Sequence, residues 1–485
     1  MTRLGKLLFG LAAVFYLALP FRPREMMLAR PFLDEAFHGL SFARDLAAGN
    51  VTAHGPTAGG LVSPVLGVIY SVAFRLAAGD TMKGLRLCLL VEIVLFALAA
   101  IAVGATIRIA DRRRSPGTFW LTAALVFTNY TLSVAFLDGL DTALVTALAF
   151  GTFAATFGGP PGSRISIRRA ALVAGLAGLV AIAWFGLLAR EPALAIADGP
   201  SPVTFNEVRP MSSRIATLRV LSNQCLGIVH CPTRHDHVGT SNIAGLMLLG
   251  GLGVLVLIVP RGRRQLRVAA AAWRQRWNPV LLAPLWIYAG FLLFEQTFFG
   301  RAPHLAAHAL VVPRLLLLFL LVSFAVAFFE SSSHGHVVLF VGLGLWVALS
   351  LGLRLRDFGG AGGNVMRRPA EWIARNVRGG ERVAMFQSGT AAFLYPDRVI
   401  NLDGNRDREA LAAVRAGQLD GFLARHEVRW LIDRPEYLAF ARRDESLARR
   451  THRVAFLENE IEVWALQSGE PAGADSTTPP PLPPR

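Results

Sequence analysis

Two adjacent carboxylates, Asp34 and Glu35, open a short amphipathic pattern that follows the first apolar segment of the chain. Ionisable residues beside a membrane span are costly to place, so they mark a candidate site. A carboxylate can take the proton of a hydroxyl group during a transfer reaction, which makes Asp34 the candidate base and Glu35 its neighbour or alternate. The structural alternative is that both residues only favour the N-terminus of a helix over 35–47 through its dipole.

Other chemically suitable residues lie in the short polar segments between apolar stretches. Asp138 and Asp141 flank one turn, where they either cap the following helix or contact a substrate. A positive group is needed to stabilise a departing phosphate, and four basic residues before or within a later apolar segment suit that task. The alternative for them is anchoring at a membrane interface, with long side chains reaching towards water. They are Arg301, His304, His308 and Arg314.

The chain has three cysteines. Cys225 and Cys231 lie six residues apart in one polar segment, and they can form a disulfide if that segment faces an oxidising compartment. His230, His235 and His237 are nearby and keep a metal site open as the alternative. Cys88 lies inside an apolar run and is interpreted as a small buried side chain.

Composition places these residues in a membrane protein. The chain has 485 residues, of which 53% are hydrophobic, and its mean hydropathy is +0.45. Several runs are long enough to span a bilayer. The formal charge of +16 comes from arginines that cluster in short segments between those runs. Topology therefore explains the charge better than a polyanionic partner does, and no nucleic-acid binding is expected.

The positive-inside rule orders the apolar runs into nine spans with the N-terminus in the cytoplasm. The run over 61–78 is predicted to lie in the outer interface, because a crossing there would place Arg112, Arg113 and Arg114 outside. The segments that carry Asp34, Asp138 and Cys225 then face outward. The predicted spans cover 4–20, 85–109, 118–134, 142–157, 170–189, 242–260, 279–298, 309–329 and 337–353.

The composition changes after the glycine-rich segment Phe358–Gly363, which predicts three regions: a membrane domain over 1–357, an α/β domain over 358–467 and a disordered tail over 468–485. Short strands are predicted at 382–386, 398–402 and 430–432, with a helix at 408–416 and a hairpin that turns at 458–460. The topology places this domain outside the cytoplasm. The predicted fold is thus a polytopic α-helical membrane protein with a C-terminal soluble α/β domain.

The order of several short motifs resembles that of the GT-C glycosyltransferases, which use polyprenyl-phosphate sugars. An acidic pair opens a juxtamembrane helix that ends in small residues and Gly49, and a Gly-x-x-Ser-Pro segment starts a second interfacial helix at Gly60. The later segments resemble further outer loops and the strand-Asp-x-x-Gly motif of the family's outer domain. They are Asp138–Leu144, Pro202–Glu207, Gly389, Tyr395 and Val399–Gly404.

The resemblance is strongest to the branch of arabinofuranosyl-, mannosyl- and aminoarabinosyltransferases. It implies a multi-pass enzyme of the bacterial inner membrane that moves a sugar from a polyprenyl-phosphate donor to an envelope glycan, lipid or protein. It further implies that Asp34 is the catalytic base and that Asp138 or Asp141 binds the acceptor or a divalent cation. The chain departs from the family pattern at Glu35, where the family often has Asp, and at His308, where an arginine is expected.

Two other function classes compete with a transferase. A transporter or flippase would place charged or broken helices at the bilayer midplane and show repeated halves, yet the unusual carboxylates lie in outer segments and no halves match. A non-catalytic scaffold for envelope assembly would keep the fold and lose the carboxylates, but Asp34 is present. The donor sugar, the acceptor and the anomeric outcome stay open.

Overall fold

In the computed structural model, part of the predicted membrane domain and nearly all of the predicted α/β domain can be described. The described residues are 2–29, 32, 34–49, 64–139, 142–158, 260–278, 282–283, 285–287, 289–290, 311–330, 335–359, 366–403, 407–457 and 461–467. The chain divides into two compact units, Met1–Arg367 and Arg368–Arg485. The predicted span over 170–189, residues 242–259 of the next predicted span, and the predicted tail lie outside the described residues.

The described part of the first unit is helical. Its helices are α1 (Thr2–Ala18), α2 (Arg24–Ala29), α3 (Asp34–Ala47), α4 (Pro64–Leu76), α5 (Thr81–Ala110), α6 (Pro116–Thr128), α7 (Tyr130–Phe136), α8 (Thr142–Phe157), α9 (Pro260–Arg276), α10 (Val311–Glu330) and α11 (Gly335–Gly359). Within the described ranges, Thr2–Phe21 and Thr81–Ala110 are long and apolar enough to cross a bilayer. The count of about nine spans therefore stays a prediction.

The helices α1 and α5 both pack closely against α6, and two glycines permit these contacts. A Cβ on Gly5 would lie 2.6 Å from the main chain of Trp120, and one on Gly104 would lie 2.8 Å from the carbonyl oxygen of Phe119. An aromatic cluster fills the space beyond these contacts, with the ring of Phe96 5.7 Å from Tyr16, 4.8 Å from Phe127 and 4.9 Å from Phe136. The three helices are thereby fixed against one another.

The predicted third span is not one continuous helix. The helical pattern over 118–134 breaks at Asn129, which has extended backbone angles and whose side chain accepts a hydrogen bond from the main-chain N–H of Leu132 at 2.9 Å. Asn129 therefore ends α6 and caps α7, because its side chain replaces the main-chain acceptor that the continuous helix would supply. The short helix α7 then leads into the turn that carries Asp138.

The helix α4 belongs to the run predicted to lie in the interface. Its 13 residues span about 20 Å, less than the ~30 Å hydrocarbon core of a bilayer. One face packs against α3 and α5, while the other leaves large apolar side chains exposed at helical spacing. Similar exposed stripes run along α1 and α11, and hydrocarbon rather than water suits such surfaces. The exposed residues are Leu7, Leu11, Val14 and Leu17; Val65, Val68 and Val72; and Val337, Val341, Leu345 and Leu349.

The second unit is a mixed five-stranded sheet with helices, where the sequence predicts an α/β domain with three strands and a hairpin. Its strands are β1 (Arg382–Met385), β2 (Val399–Asn401), β3 (Val428–Asp433), β4 (Thr451–Leu457) and β5 (Ile461–Leu466). They lie in the order β2-β1-β3-β5-β4. The first three are parallel, and β5 is antiparallel to both β3 and β4. The predicted strands and the hairpin are confirmed, with small differences at their ends.

Helices connect and cover these strands. Their bounds are α12 (Arg367–Asn376), α13 (Gly389–Leu394), α14 (Arg408–Arg415), α15 (Leu419–Arg425), α16 (Pro435–Ala441) and α17 (Glu445–Arg450). An apolar core that includes Phe422, Leu423 and Leu431 is fully buried between sheet and helices. Because β1, β2 and β3 are parallel, their carboxyl ends meet at one edge of the sheet, where the motif residues Asn401 and Asp403 lie.

Candidate functional site

Asp34 is the first residue of α3, and its side chain is partly buried. The rest of that helix is mostly enclosed, because Phe37, Leu40 and Ala43 pack into the protein and α4 lies along it. The half-buried carboxylate therefore lies at the N-terminal end of a helix whose first three turns are mostly buried. The side chain of Glu35 is outside the described residues.

The turn after α7 contacts the segment that carries Asp34. Gly139 has φ +85°, and a Cβ there would lie 2.5 Å from the Phe32 ring and 2.8 Å from the Cβ of Ala36. Asp138, next to it, is only 2% exposed. Two segments that the sequence separates by about a hundred residues thus meet, and Asp138 is placed beside the N-terminal end of α3. Asp141 is outside the described residues.

Two polar residues that the sequence reading did not single out lie on the same side of α3 as Asp34. His38 follows Asp34 by four residues and Ser41 follows by seven, a spacing that puts all three on one helix face. His38 is 8% exposed and Ser41 is 1% exposed. Among the described residues, the His38 Nδ1 and the Ser41 Oγ have no hydrogen-bond partner. Buried polar atoms normally have partners, so this face suits contact with a polar ligand or water. The helical spacing from Asp34 is the signal that could have found them.

Basic side chains gather near the end of α1 that precedes Asp34. Arg354 on α11 is 2% exposed, and its charge acts on Tyr16 of α1 and on Arg22. Burial and the charge of Arg354 together lower the pKa of Arg22 to about 10. The Arg86 Nη2 donates a hydrogen bond to the carbonyl oxygen of Arg22 at 3.4 Å. The helix α11 packs against α7, whose following turn carries Asp138.

Arg354, Arg22 and Arg86 were not among the predicted phosphate-binding residues. An arginine at the end of a long apolar run is the signal that could have found Arg354. Of the four predicted basic residues, Arg314 is described and is buried on α10. Arg301, His304 and His308 lie outside the described residues, so their predicted role stays a prediction.

Glu92 in α5 is fully buried, and the hydroxyl of Tyr70 in α4 donates a hydrogen bond to its carboxylate. The bond ties α4 to α5, and α4 in turn covers α3. Glu92 therefore helps to fix the helices that hold Asp34.

The remaining predicted site residues are not brought together in the described part of the chain. Cys225 and Cys231 lie outside it, so their disulfide stays a prediction, while Cys88 is a buried free cysteine as expected. No group of three His, Cys, Asp or Glu side chains suited to a metal ion occurs among the residues that the structure describes.

In the second unit, the strand-Asp-x-x-Gly segment lies at the carboxyl edge of the parallel strands. The Asn401 Nδ2 donates hydrogen bonds to the Ser388 Oγ at 2.7 Å and to the carbonyl oxygen of Phe386 at 3.4 Å. Asp433 accepts from the main-chain N–H groups of Phe386 and Gln387 at 2.7 and 3.0 Å. These bonds hold the loops at that edge together.

Comparisons with known proteins show a likeness in fold. No protein-family model and no curated protein matches the chain. The crystal structure of the Archaeoglobus fulgidus oligosaccharyltransferase, tethered to an acceptor peptide that contains the NVT sequon, aligns with a TM-score of 0.50. The identity is 13%, and the alignment covers 96% of this chain and 74% of that one.

A second structure of the Archaeoglobus enzyme, in complex with Zn and sulfate, aligns at 12% identity over 95% of this chain and 73% of that one, with a TM-score of 0.39. At 13% identity, the first alignment shows a likeness in fold alone.

Proposed function

We propose that this chain is a membrane glycosyltransferase of the GT-C type. It moves a sugar from a polyprenyl-phosphate donor to an envelope glycan, lipid or protein acceptor at the outer face of a bacterial inner membrane. The observation that carries the proposal is the contact of the Asp138–Gly139 turn with Phe32 and Ala36. It gathers the two predicted carboxylate segments at one place, within a fold similar to that of an oligosaccharyltransferase.

Asp34 is proposed as the general base. Its carboxylate accepts the proton of the acceptor hydroxyl while the hydroxyl oxygen forms a bond to the anomeric carbon of the sugar. The bond between that carbon and the phosphate oxygen breaks, and polyprenyl phosphate leaves with the electron pair. The position of Asp34 supports this role, because its side chain is partly accessible while the helix behind it is held rigidly by packing.

The leaving phosphate needs positive charge near it. Arg354 and Arg22 are proposed to supply that charge together with the predicted Arg301 and Arg314, His304 and His308. The support for Arg354 and Arg22 is that burial and repulsion by the charge of Arg354 disfavour the charged form of Arg22 and lower its pKa to about 10. An added phosphate would relieve that repulsion. Asp138 is proposed to hydrogen-bond the acceptor, with Asp141 as the second candidate.

Replacement of Asp34 by Asn tests the proposal. Asn keeps the size of the side chain but cannot accept the proton, so transfer should fall by about 10²–10⁴-fold. Transfer of radiolabelled sugar from defined polyprenyl-phosphate donors, measured in membranes that contain equal amounts of protein, gives the comparison.

Asp45→Asn is the matched control, because Asp45 lies on the same helix and its carboxylate pairs with Arg44 at 3.3 Å. That variant should keep nearly full activity. An Asp34→Asn protein that transfers sugar at the unmodified rate would refute the assignment of the base.

A further inference from the structure

The helix α9 is basic on its exposed side. Arg264, Arg267 and Arg274 are exposed, and the successive spacings of three and seven residues place them on one face of the helix. Val268, on the same face, is 50% exposed. Among the described residues, none of the three arginines forms an ion pair. This face therefore presents positive charge, together with an apolar side chain, to the surroundings of the protein.

The opposite side of α9 attaches the helix to the rest of the first unit. The Trp273 Nε1 donates a hydrogen bond to the Ser323 Oγ of α10 at 2.7 Å. Directly after the helix, the ring of Trp277 lies 5.3 Å from that of Phe319, and Ala269 within the helix is fully buried. Because these contacts fix the rotation of α9 about its axis, the arginines are held on the outer side.

The turn after α5 extends this basic face. The main-chain N–H of Arg112 donates to the carbonyl oxygen of Arg276 at 2.8 Å, and that of Asn278 donates to the carbonyl oxygen of Ala110 at 2.9 Å. The side chains of Arg112 and Arg113 are exposed. The turn and the helix are thus joined through their main chains. Their five exposed arginines, at 112, 113, 264, 267 and 274, are called the α9 surface.

Acidic side chains of the same segments do not neutralise the α9 surface. Asp111 is the one acidic residue in 104–118 and 260–278, and it is fully buried. Its Oδ2 lies 3.3 Å from the Arg276 Nη2 and accepts a hydrogen bond from the Thr118 hydroxyl at 2.6 Å. The charge of Asp111 is therefore used inside the protein. Since like charges repel, an external anion would stabilise the exposed arginines.

The α9 surface is next to the end of a helix of membrane length. The helix α5 (Thr81–Ala110) is long and apolar enough to cross a bilayer, and the joined turn follows its last residue. The sequence also predicts one span that ends where α9 begins, over 242–260, and another that begins just after it, over 279–298. A basic amphipathic helix between two spans lies along the membrane surface, at the level of the lipid headgroups.

We propose that the α9 surface binds the headgroups of anionic phospholipids. Their phosphate groups contact the exposed guanidinium groups, and Val268 reaches towards the start of the acyl region. The positive-inside rule accounts for the side of the membrane on which arginines lie, but not for three of them sharing one face of α9. Juxtamembrane basic clusters attract anionic lipids in this way. The membrane supplies such anions at this level, which favours lipid over a soluble acidic partner.

Arginine modification by phenylglyoxal tests the proposal on the full-length protein in nanodiscs. One preparation contains phosphatidylcholine alone, and the other contains equal amounts of phosphatidylcholine and phosphatidylglycerol. Mass spectrometry gives the modification rate at each arginine. Arg264, Arg267 and Arg274 should react about fivefold more slowly in the mixture, because attraction to an anionic surface favours each basic residue by about that factor.

Arg75 is the matched control within the same protein. It is exposed on α4, which carries no other basic residue, so it lacks the cluster of charge that would collect anionic lipid. Its rate should differ by less than about twofold between the two preparations. This comparison needs no substitution, so it does not depend on the folding of a variant.

A triple variant tests the same contacts from the lipid side. Arg264→Gln, Arg267→Gln and Arg274→Gln remove three charges together, while the bond from Trp273 to Ser323 is left in place. The protein is extracted from mixed membranes with a polymer that retains its surrounding lipid, and the bound lipids are quantified. Phosphatidylglycerol should be enriched around the unmodified protein and should fall to the bulk ratio around the triple variant.

A second triple variant controls for the change in net charge, because it removes three charges from exposed positions of the second unit and should keep the enrichment. It consists of Arg375→Gln, Arg382→Gln and Arg449→Gln.

Several outcomes would overturn the proposal. Equal modification rates in the two nanodiscs, or equal enrichment around both triple variants, would show that the α9 surface does not bind anionic lipid. Protection by inorganic phosphate in phosphatidylcholine alone would indicate a site for free anions. Arginines that stay reactive in the lipid mixture but are protected by polyglutamate would indicate an acidic polypeptide partner instead.

Discussion

At the scale of single residues, Asp433 shows how a buried carboxylate can organise a loop. It is fully buried at the end of β3 and accepts hydrogen bonds from the main-chain N–H groups of Phe386, Gln387 and Arg434. Asn at this position would turn an amide N–H₂ towards at least one of these donors. Removing one partner of a buried charged hydrogen bond costs about 2–4 kcal/mol of unfolding free energy.

Hydrogen exchange of the Phe386 and Gln387 amides in the full-length protein measures this loss, and Asp433→Asn should raise their exchange rates. Asp397→Asn, in an exposed turn of the same unit, should leave those rates as they are. Equal protection in both variants would show that the Asp433 carboxylate does not hold the loop.

Residue types alone identified part of the candidate site. Asp34 and Asp138 could be chosen because carboxylates beside apolar runs are rare and chemically suited to proton transfer. His38 and Arg354 could not be chosen with equal force, because a histidine or arginine near a helix end is common in membrane proteins. Their importance comes from burial and from neighbours distant in sequence, such as Tyr16 for Arg354, and those contacts require the fold.

At the scale of elements, the turn after α7 decides whether the two carboxylate segments meet. Gly139→Ala would introduce a Cβ at φ +85° and 2.5 Å from the ring of Phe32. The turn would have to move away from α3, since an L side chain disfavours that backbone conformation and Phe32 is packed on its other side. A displacement of about 1 Å at a reacting site can cost about 10²-fold in rate, so sugar transfer should fall to that extent.

Gly151→Ala provides the control for this change, because the added Cβ would meet only Ala102 at 3.9 Å in the middle of α8. Transfer by that variant should match the unmodified protein, and its helix should be slightly stabilised. The hypothesis that the turn positions the site is wrong if Gly139→Ala retains normal transfer at equal expression.

Long helices and strands could be predicted from the sequence, whereas a break within an apolar run could not. Apolar length identified α5 and α8 well, because a long hydrocarbon stretch has few alternatives to a buried or membrane helix. The break at Asn129 was not predicted. The residues on both sides of it are apolar, so the sequence resembles one continuous span, and the capping bond from Leu132 is visible only in the structure. The strands of the second unit could be predicted because short runs of β-branched and apolar residues are separated there by turn residues.

At the scale of the whole molecule, the two units differ in what holds them together. Helices of the first unit pack through glycines, aromatic rings and buried polar contacts, whereas the second unit is a sheet covered by helices, with ion pairs between Arg429 and Glu381 and between Arg450 and Asp420. The change in composition after Phe358 predicts a boundary there, and the two compact units divide after Arg367. The pairing order of the strands could not be predicted from local patterns, because it depends on contacts between residues far apart in sequence.

This difference predicts that the second unit responds to acid. Burial raises the pKa of Glu381, but hydrogen bonds from Trp430 and Arg378 and the charge of Arg429 outweigh it and lower that pKa below its ordinary value of 4.5. Burial likewise raises the pKa of Asp444, while hydrogen bonds from Ser446, Asp420 and Leu447 bring it below 3.8. A carboxylate whose pKa is lower in the folded than in the unfolded state stabilises folding above its unfolded pKa.

That stabilisation should be lost as the pH falls through the folded values, so protection of the β1–β5 amides against hydrogen exchange should decrease between about pH 5 and 3. The measurement uses full-length protein, with rates corrected for the intrinsic effect of pH on exchange. Glu381→Gln should flatten the pH dependence around β1 and β3, because Gln cannot be protonated in this range. Glu445→Gln, at an exposed position, should preserve it. An identical pH dependence in the unmodified and Glu381→Gln proteins would mean that the bonds from Trp430 and Arg429 contribute no stability to this unit.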